Sequence, residues 1–153
     1  MNLSFKSIPN RKAKETVLFV CLENAGRSQM AEAFFRKYAS DTFESTSAGT
    51  HHISQINPLV GQAMKEVGID ITNQKPKEIT EDMIKNATKI ISMGCMDKNF
   101  CPTFFIDKVV DWGIEDPKGK PIEKVREIRD EIMLRVRNII TDIEKERMME
   151  QDN

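Results

Sequence analysis

The sequence predicts a single α/β domain: a parallel sheet with helices on both faces. Three observations predict it. Short, wholly apolar runs such as "VLFV" (Val17 to Val20) suit strands covered on both sides. Segments whose apolar residues recur at helical spacing alternate with them, and β-α-β order implies right-handed crossovers and parallel strands. Chemically competent side chains follow the strands directly, at the edge where such sheets place ligands. The chain has 153 residues, most economically one domain.

Each element has a local reason. After the first strand, Arg27 to Tyr38 carries Met30, Ala31, Phe34, Phe35 and Tyr38 at helical spacing. Phe43 to Ser47 reads as a second strand, closed by Gly49. Asn57-Pro58 is a helix start, a cap residue before a proline at the first turn. Val60, Ala63, Met64 and Val67 form that helix's stripe, and Gly68 stops it. Thr80 caps a short helix to about Asn86. "TKIISM" (Thr88 to Met93) is a third strand and "DKVVDW" (Asp107 to Trp112) a fourth. From Pro121 to about Lys145 runs a long helix, with Ile122, Val125, Ile128, Ile132, Val136, Ile139 and Ile143 on one face. Glu131 and Arg135 can pair across it. Residues 1–15 read as a mobile basic arm, 16–147 as the domain and 148–153 as a frayed tail.

Composition excludes several classes. There are 23 basic and 24 acidic residues, for a net charge of -1. A nucleic-acid or acidic-membrane binder needs a strong basic excess. No apolar run approaches the roughly 20 residues that span a bilayer, and the first fifteen residues lack the apolar core of a signal peptide. The expected setting is cytoplasmic and reducing, and the expected state a monomer. There, three cysteines point to free or catalytic thiols rather than structural disulfides.

The chemistry concentrates in "CLENAGRS", which fits C-x5-R-S. Cys21 ends the first strand, and the loop Leu22, Glu23, Asn24, Ala25, Gly26 feeds a helix that opens with Arg27 and Ser28. Inward-turned loop amides and an uncapped helix start make a site for a tetrahedral oxyanion. Gly26 leaves room for the backbone to approach the anion, and Asn24 tolerates a left-handed backbone. Arg27 supplies a forked, permanent positive charge. The same donors, with the Ser28 hydroxyl, favour thiolate over thiol at Cys21, a nucleophile aimed at the bound anion. The bland alternative is a buried strand-end cysteine beside a solvated arginine.

"VLFVCLENAGRSQMAEAF", "SAGT", "NP" before a helix, "MGC", "CP" and "DWGIEDPKGKP" resemble the low-molecular-weight protein tyrosine phosphatase superfamily. Within it they look like the thioredoxin-coupled arsenate reductases, over about Thr16 to Lys145. The resemblance implies a four-stranded parallel sheet in order 2-1-3-4. It puts Asp116, before Pro117, at the position of the general acid, with Asp111 and Glu115 as chemical rivals. It implies arsenate or phosphate as ligand, a thioredoxin-like reductant as partner, and no bound cofactor.

The reaction turns on "SMGCMDKNFCPTFF". Phosphorus(V) bound to sulfur is hydrolysed, whereas arsenic(V) bound to sulfur can be reduced by a second thiol. The implied sheet order places Cys95 beside Cys21. Cys101 would then attack Cys95 and leave a Cys95–Cys101 disulfide for a thioredoxin-like protein to reduce. Residues 94–106 are expected to be mobile and to change shape on oxidation. The rivals are a phosphatase using Cys21, Arg27 and Asp116 alone, and a non-catalytic oxyanion or redox sensor. A metal site joining the loop cysteines to His51 and His52 has the wrong spacing for a zinc knuckle.

Three departures from the pattern matter. Several relatives carry a further cysteine before the loop arginine, where this chain has Gly26. Tyrosine phosphatases of this kind place aromatic residues after the Asp-Pro pair, where this chain has Lys118 and Gly119. Some arsenate reductases hold potassium beside the loop. Asn24, Glu32 and Ser47 match that arrangement, but Lys77 stands where a carboxylate is expected, so no metal is expected.

Overall fold

In a computed structural model the described residues are 14–51, 55–94 and 108–151. Cys95, Cys101 and His52 lie outside them, as does nearly all of the 94–106 segment and the basic arm up to residue 13. The elements in chain order are β1 (Glu15–Cys21), α1 (Arg27–Tyr38), β2 (Phe43–Gly49), α2 (Pro58–Glu66), α3 (Glu81–Asn86), β3 (Lys89–Ser92), β4 (Val109–Asp111) and α4 (Ile122–Gln151).

The strands form one parallel sheet in the order β2-β1-β3-β4. Cys21 pairs with Gly49 of β2, and Val20 pairs with Ser92 of β3. The chain leaves β1 toward β2 on one side and later returns to β3 on the other. The strand order therefore reverses at the carboxyl end of β1, where Cys21 sits.

Alternation along β1 assigns the two layers. Val17, Phe19 and Cys21 face a core with Met30, Phe34 and Phe35 of α1, Val60 and Met64 of α2, and Val125, Ile132 and Val136 of α4. Leu18 and Val20 face a smaller core with Ala48, Ile79, Ile84 and Ile90. Phe19 meets Phe35 edge-on with ring centroids 6.0 Å apart.

The helix signals are realised. Asn57 accepts a hydrogen bond from Leu59 N at 3.0 Å and caps α2, and Thr80 accepts one from Met83 N at 3.2 Å and caps α3. Gly68 follows α2 with φ +84°, a left-handed stop. Glu131 and Arg135 pair at 3.3 Å.

Two details of α4 differ from expectation. Ile140 is buried whereas Ile139 is only partly so. The helix also continues to Gln151, so residues 148–151 are helical rather than frayed. Tertiary contacts account for the extension: Arg147 pairs with Glu15 at 3.5 Å and lies 5.6 Å over the Phe43 ring. Among the described residues no helix is long and apolar enough to cross a membrane.

Candidate active site

Six of the eight buried polar residues among those described lie together. Asn24, Arg27, Ser28, Gln29, Glu32 and Ser47 are all buried, and all lie in the loop after β1, the first turns of α1 or the end of β2. Burying polar groups is unfavourable unless they are paired, so this concentration needs a reason. The reason is a hydrogen-bonded frame around Cys21.

The frame has a determinate direction. The backbone N–H of Lys77 can only donate, and it reaches Asn24 Oδ1 at 2.8 Å. Gln29 Nε2 donates to the same oxygen at 2.9 Å. This fixes the Asn24 amide so that its Nδ2 donates to Ser28 Oγ at 2.7 Å. The Ser28 hydroxyl proton is then free for Cys21 Sγ, 2.8 Å away. Asn24 N also donates to Sγ, at 3.1 Å. Two donors therefore converge on the sulfur. Asn24 itself has φ +58°, the left-handed conformation expected of it.

The loop carbonyls turn away from the sulfur. Cys21 O accepts from Thr50 N, Leu22 O from His51 N, Ala25 O from Asn57 N, and Gly26 O from Met30 N, at 2.7–3.2 Å. In a planar trans peptide the N–H points opposite to the C=O. The amides of Leu22, Glu23, Gly26 and Arg27 therefore point away from these partners. No side chain caps α1, and its first turn holds no acidic residue, so its N-terminal dipole is uncompensated.

Two glycines are required by close packing around the site. A Cβ on Gly26 would meet Pro117 Cγ at 3.1 Å and Val60 Cγ2 at 3.4 Å, so Gly26 makes room for the Asp116-Pro117 loop. At Gly49 a Cβ would lie 2.7 Å from Glu23 C and 2.8 Å from Asn24 N, so the loop after β1 passes directly against this residue.

Arg27 is buried at the cavity wall. Its Nη1 donates to Met93 O at 3.1 Å and Ile114 O at 2.7 Å, the residues that leave β3 and β4. Its Nη2 lies 3.5 Å from Asp116 Oδ2. Asp116 Oδ1 accepts from Lys118 N at 3.0 Å. The rival carboxylates are engaged elsewhere: Glu115 pairs with Lys120 and Lys124, and Asp111 accepts from Gly113 N. Only Asp116 of the three lines the cavity.

That cavity has a volume of about 250 Å³, and Cys21, Arg27, Asn57, Asp116 and Pro117 are among its walls. Glu23 and Lys118 also line it, and their charged ends meet at 2.8 Å. The Glu23 hydrogen bond holds the Lys118 ammonium above the ordinary lysine range. Sequence reasoning named Glu23 only for its amide and missed this pairing, along with Gln29 and the Asn57 wall. The polar run Arg27-Ser28-Gln29 at a helix start was the available signal for Gln29.

Glu32, beside the frame, accepts from Ser47 Oγ and Arg36 Nη2, each at 2.6 Å, and lies 3.6 Å from Lys77 Nζ. Two cations, from Arg36 and Lys77, are thus matched to its carboxylate. His51 is exposed and joined to Thr50 rather than to the site.

The family described as low molecular weight phosphotyrosine protein phosphatase matches residues 16–149. An arsenate reductase of Staphylococcus aureus (strain Newman) is 39% identical over 129 residues, covering 82% of this chain and 95% of that protein. Among solved structures, the YwlE arginine phosphatase from Geobacillus stearothermophilus superposes with a TM-score of 0.81 at 26% identity, over 88% of this chain and 96% of its own. A thioredoxin-dependent arsenate reductase from Corynebacterium glutamicum superposes with a TM-score of 0.75 at 35% identity, over 92% of this chain and 67% of its own.

Proposed function

Because the chain belongs to the low molecular weight phosphotyrosine protein phosphatase family, we propose that it uses that site as an arsenate reductase. The observation that carries the reading is the pair of donors on Cys21 Sγ inside a cavity walled by Arg27 and Asp116. The amides of Leu22, Glu23, Gly26 and Arg27, with the Arg27 guanidinium, bind the oxyanion. The Cys21 thiolate attacks arsenic(V), forming a sulfur–arsenic bond, and a hydroxyl leaves as water with the proton of Asp116.

The next step separates reduction from hydrolysis. The thiolate of Cys95 attacks Cys21 Sγ, and the electron pair of the sulfur–arsenic bond stays on arsenic. Arsenite leaves, and two thiols have become the Cys21–Cys95 disulfide. Cys101 then attacks Cys95 and frees Cys21, and a thioredoxin-like dithiol reduces the Cys95–Cys101 disulfide. Support for Cys95 comes from connectivity: Met93 N donates to Val20 O at 3.0 Å, one residue before Cys21. Two links, about 7 Å of contour, separate Met93 from Cys95. The named arsenate reductases among the similar proteins support the substrate.

A second reading is phosphate-ester hydrolysis. The likeness to an arginine phosphatase favours it, and Cys21, Arg27 and Asp116 suffice for it. One experiment separates the two. Arsenite formation is followed with thioredoxin, its reductase and NADPH, and compared with hydrolysis of an aryl phosphate. Cys21→Ser loses both activities. Cys95→Ser and Cys101→Ser lose catalytic arsenite formation and keep hydrolysis. Sustained arsenate turnover by Cys95→Ser overturns the relay.

A further inference from the structure

A glutamate on the rim of an anion site is electrostatically unfavourable, since its carboxylate repels the ligand. Glu23 is such a residue: its backbone belongs to the oxyanion loop and its side chain lines the cavity. The carboxylate is not left alone. Lys118 reaches from the loop that carries Asp116 and closes a 2.8 Å contact with Glu23 Oε1. The bridge joins two walls of the cavity that are 95 residues apart in sequence. Lys118 serves the acid loop a second way, because its N–H donates to Asp116 Oδ1 at 3.0 Å.

The position of the bridge follows from the reaction. The leaving oxygen must face Asp116. Any organic group on that oxygen extends past Asp116 toward the rim, where Lys118 and Glu23 meet. An inorganic oxyanion has nothing there. We propose that the Glu23–Lys118 ion pair is a strap that selects substrate class: it stands where an ester's organic group would pass and favours inorganic tetrahedral oxyanions over esters. The strap rests on the oxyanion-site reading above and names what that site disfavours. It neutralises the rim at the same time, so selection does not come at the expense of anion binding.

The test uses Lys118→Ala, Glu23→Ser and the reversed pair Glu23→Lys/Lys118→Glu in the full chain. Inorganic phosphate binding is measured by calorimetry, and para-nitrophenyl phosphate hydrolysis by absorbance. Lys118→Ala leaves a lone carboxylate and weakens phosphate binding by roughly five- to ten-fold, whereas Glu23→Ser leaves a lone ammonium and tightens it by a similar factor. Both single variants open the rim, so both raise kcat/KM for the ester relative to the parent, and the reversed pair returns it toward the parent value. Opposite shifts in phosphate affinity with the same shift in ester activity cannot come from net charge alone. Ester activity that merely follows phosphate affinity, or that stays at the parent level in both single variants, overturns the strap. A parent protein that binds no inorganic phosphate overturns the oxyanion site itself, and the strap with it.

Discussion

Replacing Asn24 tests the frame that holds the sulfur, because one side chain ties three partners into it. Alanine removes the acceptor used by Lys77 N and Gln29 Nε2 and the donor to Ser28 Oγ. Each buried donor left unpaired costs about 1–3 kcal/mol. Asn24 also sits at φ +58°, which alanine adopts with roughly 1–2 kcal/mol more strain. Asn24→Ala should therefore destabilise the protein by about 3 kcal/mol or more, read from urea unfolding. Asn24→Gly removes the same hydrogen bonds without the strain, so it should recover about 1 kcal/mol of that loss. Function should fall further than stability explains. Without the Asn24 amide, the Ser28 hydroxyl is no longer directed to the sulfur, a hydrogen bond worth about 0.5–1.5 kcal/mol. Alkylation of Cys21 by iodoacetamide near neutral pH, in folded protein, should slow by up to about ten-fold. Variants within ~0.5 kcal/mol of the parent that alkylate at the parent rate would refute the reasoning.

The remaining predictions concern the supports. Gly49→Ala forces a Cβ to within 2.8 Å of the loop backbone, so phosphate binding should be lost while circular dichroism keeps the native signal. Arg129→Ala removes a nearly buried guanidinium that donates to Ala63 O and Glu66 Oε1, and should lower stability by about 1–3 kcal/mol in chemical denaturation. The Glu66 carboxyl is held below the ordinary glutamate range, first by its hydrogen bond to Arg126. A group depressed in the folded state contributes stability above its unfolded pKa and loses it as pH falls through the folded one. The stability gap between the parent and Glu66→Gln should therefore hold at neutral pH and close below about pH 4.

Much of this fold can be read locally. Helix α1 has its expected bounds because Gly26 and the apolar spacing from Met30 to Tyr38 are both local signals. The same holds for the caps at Asn57 and Thr80, which need only their own turn. The sheet order is not local, and it was expected only through the family resemblance. What stayed hidden depends on distant partners. The last turn of α4 is held by Arg147 against Glu15 and Phe43, residues from the first two strands. Gly49 is required because the loop after β1 lies against it, which no pattern within β2 reveals. Within the site, Cys21, Arg27 and Ser28 were legible because the oxyanion loop is contiguous in sequence. Asp116 was one of three nearby carboxylates on chemistry alone and was singled out by the family resemblance; of the three, it alone lines the cavity. The Lys118–Glu23 contact joins positions whose individual identities suggest nothing more than solvated charges.

The central claim is that oxidation leaves arsenic and passes along three sulfurs. Its most direct measurement is a single turnover of reduced protein with arsenate and no external reductant, followed by acid quench and peptide mapping. The relay should leave one arsenite per protein, an alkylatable Cys21 and a Cys95–Cys101 disulfide. Three free thiols with no arsenite, or a disulfide that excludes Cys95, would contradict it.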